Sequence, residues 1–271
     1  MGPHGNRRAP LAAPVAFGVA ELRPDPARPA GWTLLVDGVA QSYVDLADPA
    51  HLEFAYVRRL AAVLRLAAPV SVPLRVLHLG GGGLTLPRLV SATRAGSFQK
   101  VVERDGELIA LVTRLLPLAA PVEVVVGDAR AELDHDEPRG YDVIVVDVFD
   151  GAWMPASVAG VGFAAAAARR LRPGGLLGMN LTDVPPLAYS RIQVATLRTA
   201  FGEVGLIAEP ALLRGRRAGN VVLVAAHSPG DLPVRALAAA VARDPAPGRL
   251  LHGPELRSFT AGAKPRLDAP A

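Results

Sequence analysis

From residue 75 onward the chain alternates short runs of β-branched and aliphatic residues with segments long enough for a helix, and few folds tolerate that rhythm. The runs are "RVLHL" (75–79), "KVVE" (100–103), "VEVVV" (122–126), "YDVIVVD" (141–147), "GLLGMNL" (175–181) and "NVVLVA" (220–225). Between most of them lie helix-length stretches at 86–94, 105–116 and 157–171, and the longest, "PLAYSRIQVATLRTAFGEV". Parallel strands need such crossovers, and near-continuous Val/Ile/Leu runs suit strands buried on both faces. The expected fold is α/β, a doubly wound, mostly parallel sheet of Rossmann-like form.

Ahead of this domain, "VAFGVAELRP" reads as a strand, and "WTLLVDGVAQSYV" as two strands around Asp37-Gly38, a strong hairpin signal. An antiparallel β-unit is therefore expected over residues 15–50. Residues 1–14 read as a flexible tail. Arg7 and Arg8 precede an apolar run, but Pro10 and Pro14 interrupt it and no clear small-residue cleavage site follows. "DPAHLEFAYVRRLAAVLRLA" repeats Leu52, Tyr56, Leu60 and Val63 at helical spacing, an amphipathic helix near the start of a 51–228 domain. Residues 229–271 hold one helical pattern, "PVRALAAAVARD", and a Pro/Gly-rich end.

Composition narrows the chemistry. Hydrophobic residues make up 51% of the 271 and aromatics only 5%, so the core is built of Ala, Val and Leu. Cysteine is absent, which excludes disulfides, thiolate nucleophiles and Cys-ligated zinc and fits a reducing, cytoplasmic setting. The net charge is +4, and Lys100 and Lys264 are the only lysines, so the cations are almost all Arg. No basic run is interleaved with aromatics, so nucleic acid is not expected as a partner. No apolar stretch reaches 18 residues, so neither is a membrane span. His78 falls inside a buried run and reads as a core residue. His51, His135 and His227 show no ligand spacing, and no metal is expected.

In open parallel sheets the ligand crevice lies beyond the carboxyl ends of the strands. Here the first run enters Gly80-Gly81-Gly82-Gly83, the second ends at Glu103, the third enters Gly127-Asp128, and the fourth ends at Asp147, with Asp150 close behind. Glycines let backbone approach a ligand, and the next helix then presents its N-terminus. An acid at Glu103 suits a pair of ribose hydroxyls, and one at Asp128 an adenine edge. Thr85 stands where a dinucleotide fingerprint has its third glycine, and no Walker lysine is present. A nucleoside without phosphate, such as an adenosyl sulfonium compound, fits better. Alkyl transfer from a sulfonium to an amine needs the amine neutral. With an amine pKa of about 10.4 that costs roughly 4 to 5 kcal/mol at neutral pH. One carboxylate can take the proton and a second can hold the substrate cation. The alternative is a turn, in which Asp147 caps the chain and Asp150 forms an Asx-turn with Gly151.

These residues resemble the polyamine aminopropyltransferases (spermidine and spermine synthases) over roughly residues 33–226. "LLVDGVAQS" resembles the family's L-D-G-x-x-Q hairpin and "EFAY" its acidic helix ending in a substrate-contacting Tyr. "LGGGG" resembles its G-G-G-D-G loop, "VVERD" its V-E-I-D, "GDAR" its G-D-G/A, "YDVIVVDVFDG" its Y-D-V-I-x-D-x-x-D-P, and "LRPGGLL" the approach to its fifth strand. The chain is more closely similar to bacterial spermidine-synthase-like proteins, which are sometimes fused to transporter segments. The resemblance implies the S-adenosylmethionine-dependent methyltransferase type of sheet. It implies an aminopropyl group moved from decarboxylated S-adenosylmethionine to a small-molecule amine. By position, Asp147 would be the general base and Asp150 would bind the amine. Gln41, Gly80 to Gly83, Glu103, Asp128 and Ala129 would hold the donor, and Tyr56 would line the acceptor pocket. Family members are commonly dimers or tetramers, so a homodimer or homotetramer is expected.

Departures from the pattern are specific. Gly83 stands where the family has the loop Asp that holds the donor's ammonium, Leu84 replaces the next glycine, Val57-Arg58 follow Tyr56, and Gly151 replaces a proline. Asp183, in "GMNLTD" with Asn180, is the candidate substitute carboxylate, or else the cap of the following helix. Arg214, Arg216 and Arg217 would favour a carboxylate ligand if they faced the crevice, and otherwise form a solvated turn. Trp153 is a candidate lid. A methyltransferase using intact S-adenosylmethionine and a catalytically weak nucleoside-binding protein remain as rival readings.

Overall fold

The computed structural model of the chain describes residues 9–135, 140–151 and 153–268. Its first four strands, β1 (Leu11–Val15), β2 (Gly18–Pro24), β3 (Gly31–Val36) and β4 (Val39–Asp45), pair antiparallel in that order. Asp37 and Gly38, at φ 48° and 78°, make the tight turn between β3 and β4. Two successive left-handed residues match the twist of a two-residue hairpin, which is why Asp-Gly predicts it. The single strand expected over residues 15–24 is instead a hairpin. Its partner β1 comes from the stretch read as tail. Pro14 is tolerated there because β1 is an edge strand, paired only with β2. The Ala16 and Phe17 N–H groups at the turn donate to the Asp105 carboxylate. Residues 1–8 of the expected tail, Arg7 and Arg8 included, lie outside the described residues, as do 269–271 at the other end.

Helix α1 (Ala55–Leu66) buries Val57, Leu60, Val63 and Leu64. It starts later than the periodicity suggests, after Phe54 in extended conformation. The alternating domain follows: β5 (Arg75–Leu79), α2 (Thr85–Thr93), β6 (Phe98–Glu103), α3 (Gly106–Leu115), β7 (Glu123–Val126), α4 (Ala129–Asp134), β8 (Tyr141–Val146), α5 (Val161–Arg170), β9 (Leu171–Asp183), α6 (Ala188–Leu197) and β10 (Glu203–Ala208). It ends with α7 (Pro210–Leu213), β11 (Gly219–Ala226), α8 (Val234–Ala242), β12 (Arg249–His252) and α9 (Gly253–Thr260).

The eight strands of this sheet are ordered β12-β10-β11-β9-β8-β5-β6-β7. Pairings from β9 through β7 are parallel, and the three involving β10, β11 and β12 are antiparallel. The expected parallel placement of residues 220–225 is thus corrected. Residues Glu203 and Val204, read as the end of a helix, begin β10. The four-residue α7 is too short for a crossover, so β11 returns beside β10 as its antiparallel partner. β12 was not foreseen either, because a four-residue edge strand carries too little pattern. The stretch after α9 packs back: the Val161 N–H donates to the Arg266 carbonyl, and the Gly162 N–H to Asp268 Oδ2.

Alternate residues of each central strand feed opposite faces of the sheet. Leu77, Leu79 and Val146 pack with Phe163, Leu177 and Val194. Val76, Val143 and Val145 pack with Leu60, Leu64 and Leu89. A third cluster joins the N-terminal sheet, through Leu22, Trp32, Leu34 and Val44, to Ile109 and Val112 of α3. Each such side chain contributes about 1.5–3 kcal/mol on burial. That holds the β-unit beside the carboxyl ends of β5 and β6. The winding reverses between β5 and β8, so the crevice opens where those two strands end. Among the described residues no helix is long and apolar enough to cross a membrane.

Candidate functional site

At the reversal of the sheet, Gly80 takes φ 95°, and a Cβ there would collide with the carbonyl oxygen of Asp147. Only glycine lets β5 turn this close to the end of β8. The loop that follows is braced from two sides. Glu103 Oε2 accepts from the Gly81 N–H at 2.8 Å, and Ser42 Oγ of β4 accepts from the Gly83 N–H at 3.0 Å. Leu84 then enters α2 at φ 58°, a left-handed conformation held by a fully buried side chain.

Ser42 also explains the glycine at 83. A Cβ on Gly83 would lie 2.8 Å from Ser42 Cβ and 3.2 Å from Val44 Cγ2. The β-unit therefore fills the space in which a loop carboxylate would have to stand.

Two cavities open from this loop. The larger, about 370 Å³, is lined by Gln41, Ser42, Tyr56, Glu103, Arg104 and Asp147, with apolar wall from Phe17, Val36, Val39, Leu108 and Phe149. The smaller, about 140 Å³, lies between Gly127, Asp128 and Ala129 on one side and Phe149, Pro155 and Val158 on the other. Glu103, Arg104 and Asp147 border both. The β-unit, α1 and the ends of β5, β6, β7 and β8 thus bring together Gln41, Tyr56, Gly80 to Gly82, Glu103, Asp128, Ala129 and Asp147.

Asp147 sits at the seam of the two cavities, partly buried. Its Oδ1 accepts from Asn180 Nδ2 at 2.9 Å, and Asn180 Oδ1 accepts in turn from Asn220 Nδ2 at 3.2 Å. The Tyr56 hydroxyl lies against the same carboxylate and within 3.3 Å of the Gln41 carbonyl. Burial drives the Asp147 pKa up to about 6; the Asn180 and Tyr56 hydrogen bonds restrain the rise, and nearby Glu103 adds to it. Burial, then the Asp147 charge, raises the Tyr56 phenol well above its usual range, so it stays a donor.

Glu103 Oε1 accepts from the Asp105 N–H, so both its oxygens face backbone donors. Asp128 caps α4 through Oδ1, which accepts from the Arg130 and Ala131 N–H groups.

Other candidates fall elsewhere. Asp183 is buried and accepts from the Ser190 N–H and hydroxyl and from the Val184 N–H. Both its oxygens serve the entry to α6, and it lines neither cavity. The cap alternative, not the substitute carboxylate, matches this geometry. Asp150 points outward with a side chain 72% exposed and pairs with Arg104 at 3.0 Å. Trp153, joined to Asp150 by two backbone hydrogen bonds, is exposed rather than folded over the crevice. Arg214, Arg216 and Arg217 are all exposed, and Arg217 pairs with Glu209. His78 is buried, bonds Gln99 at 3.0 Å, and is held down to about 4 by burial. Among the described residues no cluster of His, Asp or Glu is arranged to hold a metal ion.

Sequence reasoning missed Arg104, Ser42 and Phe17. Arg104 follows Glu103 directly in "VVERD", and a cation beside a strand-end acid was the available signal. Nothing local marks Phe17, which arrives through the unforeseen β1–β2 turn and puts its ring 4.2 Å under the Arg104 guanidinium.

No family model matches the chain. Among solved structures it is similar to a probable spermidine synthase from Corynebacterium glutamicum ATCC 13032, at 30% identity and TM-score 0.89, over 97% of this chain and 98% of that one. The spermidine synthase of Thermotoga maritima shares the fold at 17% identity and TM-score 0.60, over 86% and 77% of the two chains. Human methyltransferase-like protein 13, solved with SAH, shares it at 23% identity and TM-score 0.52, over 69% and 86%. Identity at the level of the first, along nearly the whole length of both chains, means that the chain belongs to the spermidine synthase family of aminopropyltransferases.

Proposed function

We propose that the protein moves an aminopropyl group from decarboxylated S-adenosylmethionine to an amine acceptor, with Asp147 as general base. One observation carries this reading: a carboxylate raised to about 6 stands at the seam of the two cavities. The adenine suits the smaller cavity beside Asp128 and Ala129, and the ribose suits Glu103, which can turn from its backbone donors to two hydroxyls. The acceptor nitrogen attacks the propyl carbon bonded to sulfur. The carbon–sulfur pair leaves on sulfur as neutral methylthioadenosine, and the nitrogen's proton passes to Asp147. A base with a pKa near 6 is mostly ionised at neutral pH yet close enough in acidity to share the proton in the transition state. Tyr56 and Asn180 orient its oxygens.

Release of methylthioadenosine from decarboxylated S-adenosylmethionine, dependent on added amine and lost in Asp147→Asn, tests the reading. Release that is unchanged in the variant removes Asp147 as base.

A second reading has its own observation. With Ser42 filling the space beside Gly83, the loop carries no carboxylate for the donor's ammonium. That favours intact S-adenosylmethionine as donor and methyl transfer as reaction. Calorimetry with the two donors separates the readings: tight binding of the intact form alone sinks aminopropyl transfer. Binding of both with no alkylated product leaves a nucleoside-binding protein.

A further inference from the structure

Asp150, where the resemblance expects an acid free to bind a cationic substrate, already holds a cation supplied by the protein. Its Oδ1 bonds Arg104 Nη2 at 3.0 Å, and the guanidinium is stacked on Phe17. Arg104 walls both cavities, as Asp147 does. The remaining acids of that wall are engaged by backbone. Asp105 accepts from the Ala16, Phe17 and Leu108 N–H groups, Asp37 from Val19, and Glu103 from Gly81 and Asp105. Between Asp147 and Arg104 the wall is hydrocarbon, from Phe17, Val36, Val39, Leu108 and Phe149.

We infer that the acceptor is a primary amine with a single positive charge, whose far end is a carboxylate or an alkyl group rather than a second ammonium, and that Arg104 sets this selectivity. The inference deepens the aminopropyl-transfer reading and rests on it. An amine nitrogen beside Asp147 directs the rest of its chain along the apolar wall. A second ammonium there meets a fixed guanidinium and no unengaged carboxylate, so charge repulsion opposes it. A carboxylate in the same position can take over Arg104 from Asp150. The exchange is easy because the Asp150 side chain is largely in water, and exposed ion pairs are weak.

An isosteric series tests the idea with decarboxylated S-adenosylmethionine as donor: 4-aminobutanoate, butylamine and 1,4-diaminobutane, which differ in the far group. Methylthioadenosine binding, measured by calorimetry, runs alongside as a readout independent of acceptor. In the wild type, kcat/KM for 4-aminobutanoate and butylamine should exceed that for 1,4-diaminobutane by about tenfold or more. Arg104→Gln should lose that preference and gain on the diamine, mainly through KM, while still binding methylthioadenosine. Asp150→Asn, which leaves Arg104 unpaired, should improve 4-aminobutanoate. If the wild type prefers the diamine and Arg104→Gln does not change the order, the inference is wrong and transfer chemistry still stands. If methylthioadenosine binds but no amine in the series is alkylated, the transfer reading falls and takes the inference with it.

Discussion

Replacing Asp147 by Asn should make the protein more stable at the pH where it makes the enzyme inert. A carboxyl held at about 6 instead of the usual 3.8 corresponds to about 3 kcal/mol against its charged form, at 1.36 kcal/mol per decade. The side chain still meets cleft water, so about 2 kcal/mol is the better expectation. Its sign follows from proton counting. Between about pH 4 and pH 6 the folded chain keeps a proton that the unfolded chain has released, so wild-type stability falls as pH rises through this window. Below the window both states are protonated and the penalty is gone. Above it the penalty is complete. The amide introduced by Asp147→Asn keeps a carbonyl to accept from Asn180 and never ionises, so it escapes the penalty. Urea unfolding of both proteins at about pH 4 and about pH 8 measures this. The variant's advantage should be near zero at the lower pH and about 2 kcal/mol at the higher. A variant less stable than wild type at the higher pH, or a gap that does not change with pH, would refute the claim that burial strains this carboxylate.

The pH profile of kcat/KM should rise about tenfold per unit below about pH 6, as Asp147 ionises; a profile flat from about pH 5 to about pH 7 contradicts its role as base. Asn180→Ala removes a hydrogen bond that favours the ionised carboxylate, so the midpoint of that rise should move upward, and an unmoved midpoint would reduce Asn180 to a packing residue. Gly83→Asp should cost about 1–3 kcal/mol in urea unfolding, because its Cβ meets Ser42. Ser42→Gly in the same chain should return most of it, and strictly additive effects would show that the two residues do not compete for one space.

Strand-end chemistry was legible because it is written locally. A buried strand must be a run of Val, Ile and Leu, and whatever polar residue ends it enters the crevice, so Glu103, Asp128 and Asp147 could be placed from their neighbours alone. The hairpin at Asp37-Gly38 was legible for the same reason, since two consecutive left-handed residues leave few options. The antiparallel end of the sheet was not. β10 and β12 owe their places to partners brought in by chain reversal, and "EVGLIA" after a helical stretch looks like more helix. Asp183 shows the same limit in a side chain. Its position in sequence fitted a crevice acid, but its neighbours offered the Ser190 N–H and hydroxyl, and a buried carboxylate takes the nearest donors.

The features that set selectivity were the least visible, and the reason is geometric. Arg104 belongs to the β6–α3 turn, Phe17 to β1–β2, Asp150 to the loop after β8, and Ser42 to β4. No two of these segments are close in sequence except through the fold, so no motif can contain the arrangement. Yet that arrangement decides how charge is distributed over the cavity. Asp147 alone would draw in any amine; with Arg104 across the same cavity, the cation that fits is one with a single charge. A family's strand-end acids can thus persist while residues from the added β-unit and loops change what the crevice admits. On this chain both alterations point the same way: Ser42 removes the room for one carboxylate, and Arg104 occupies another.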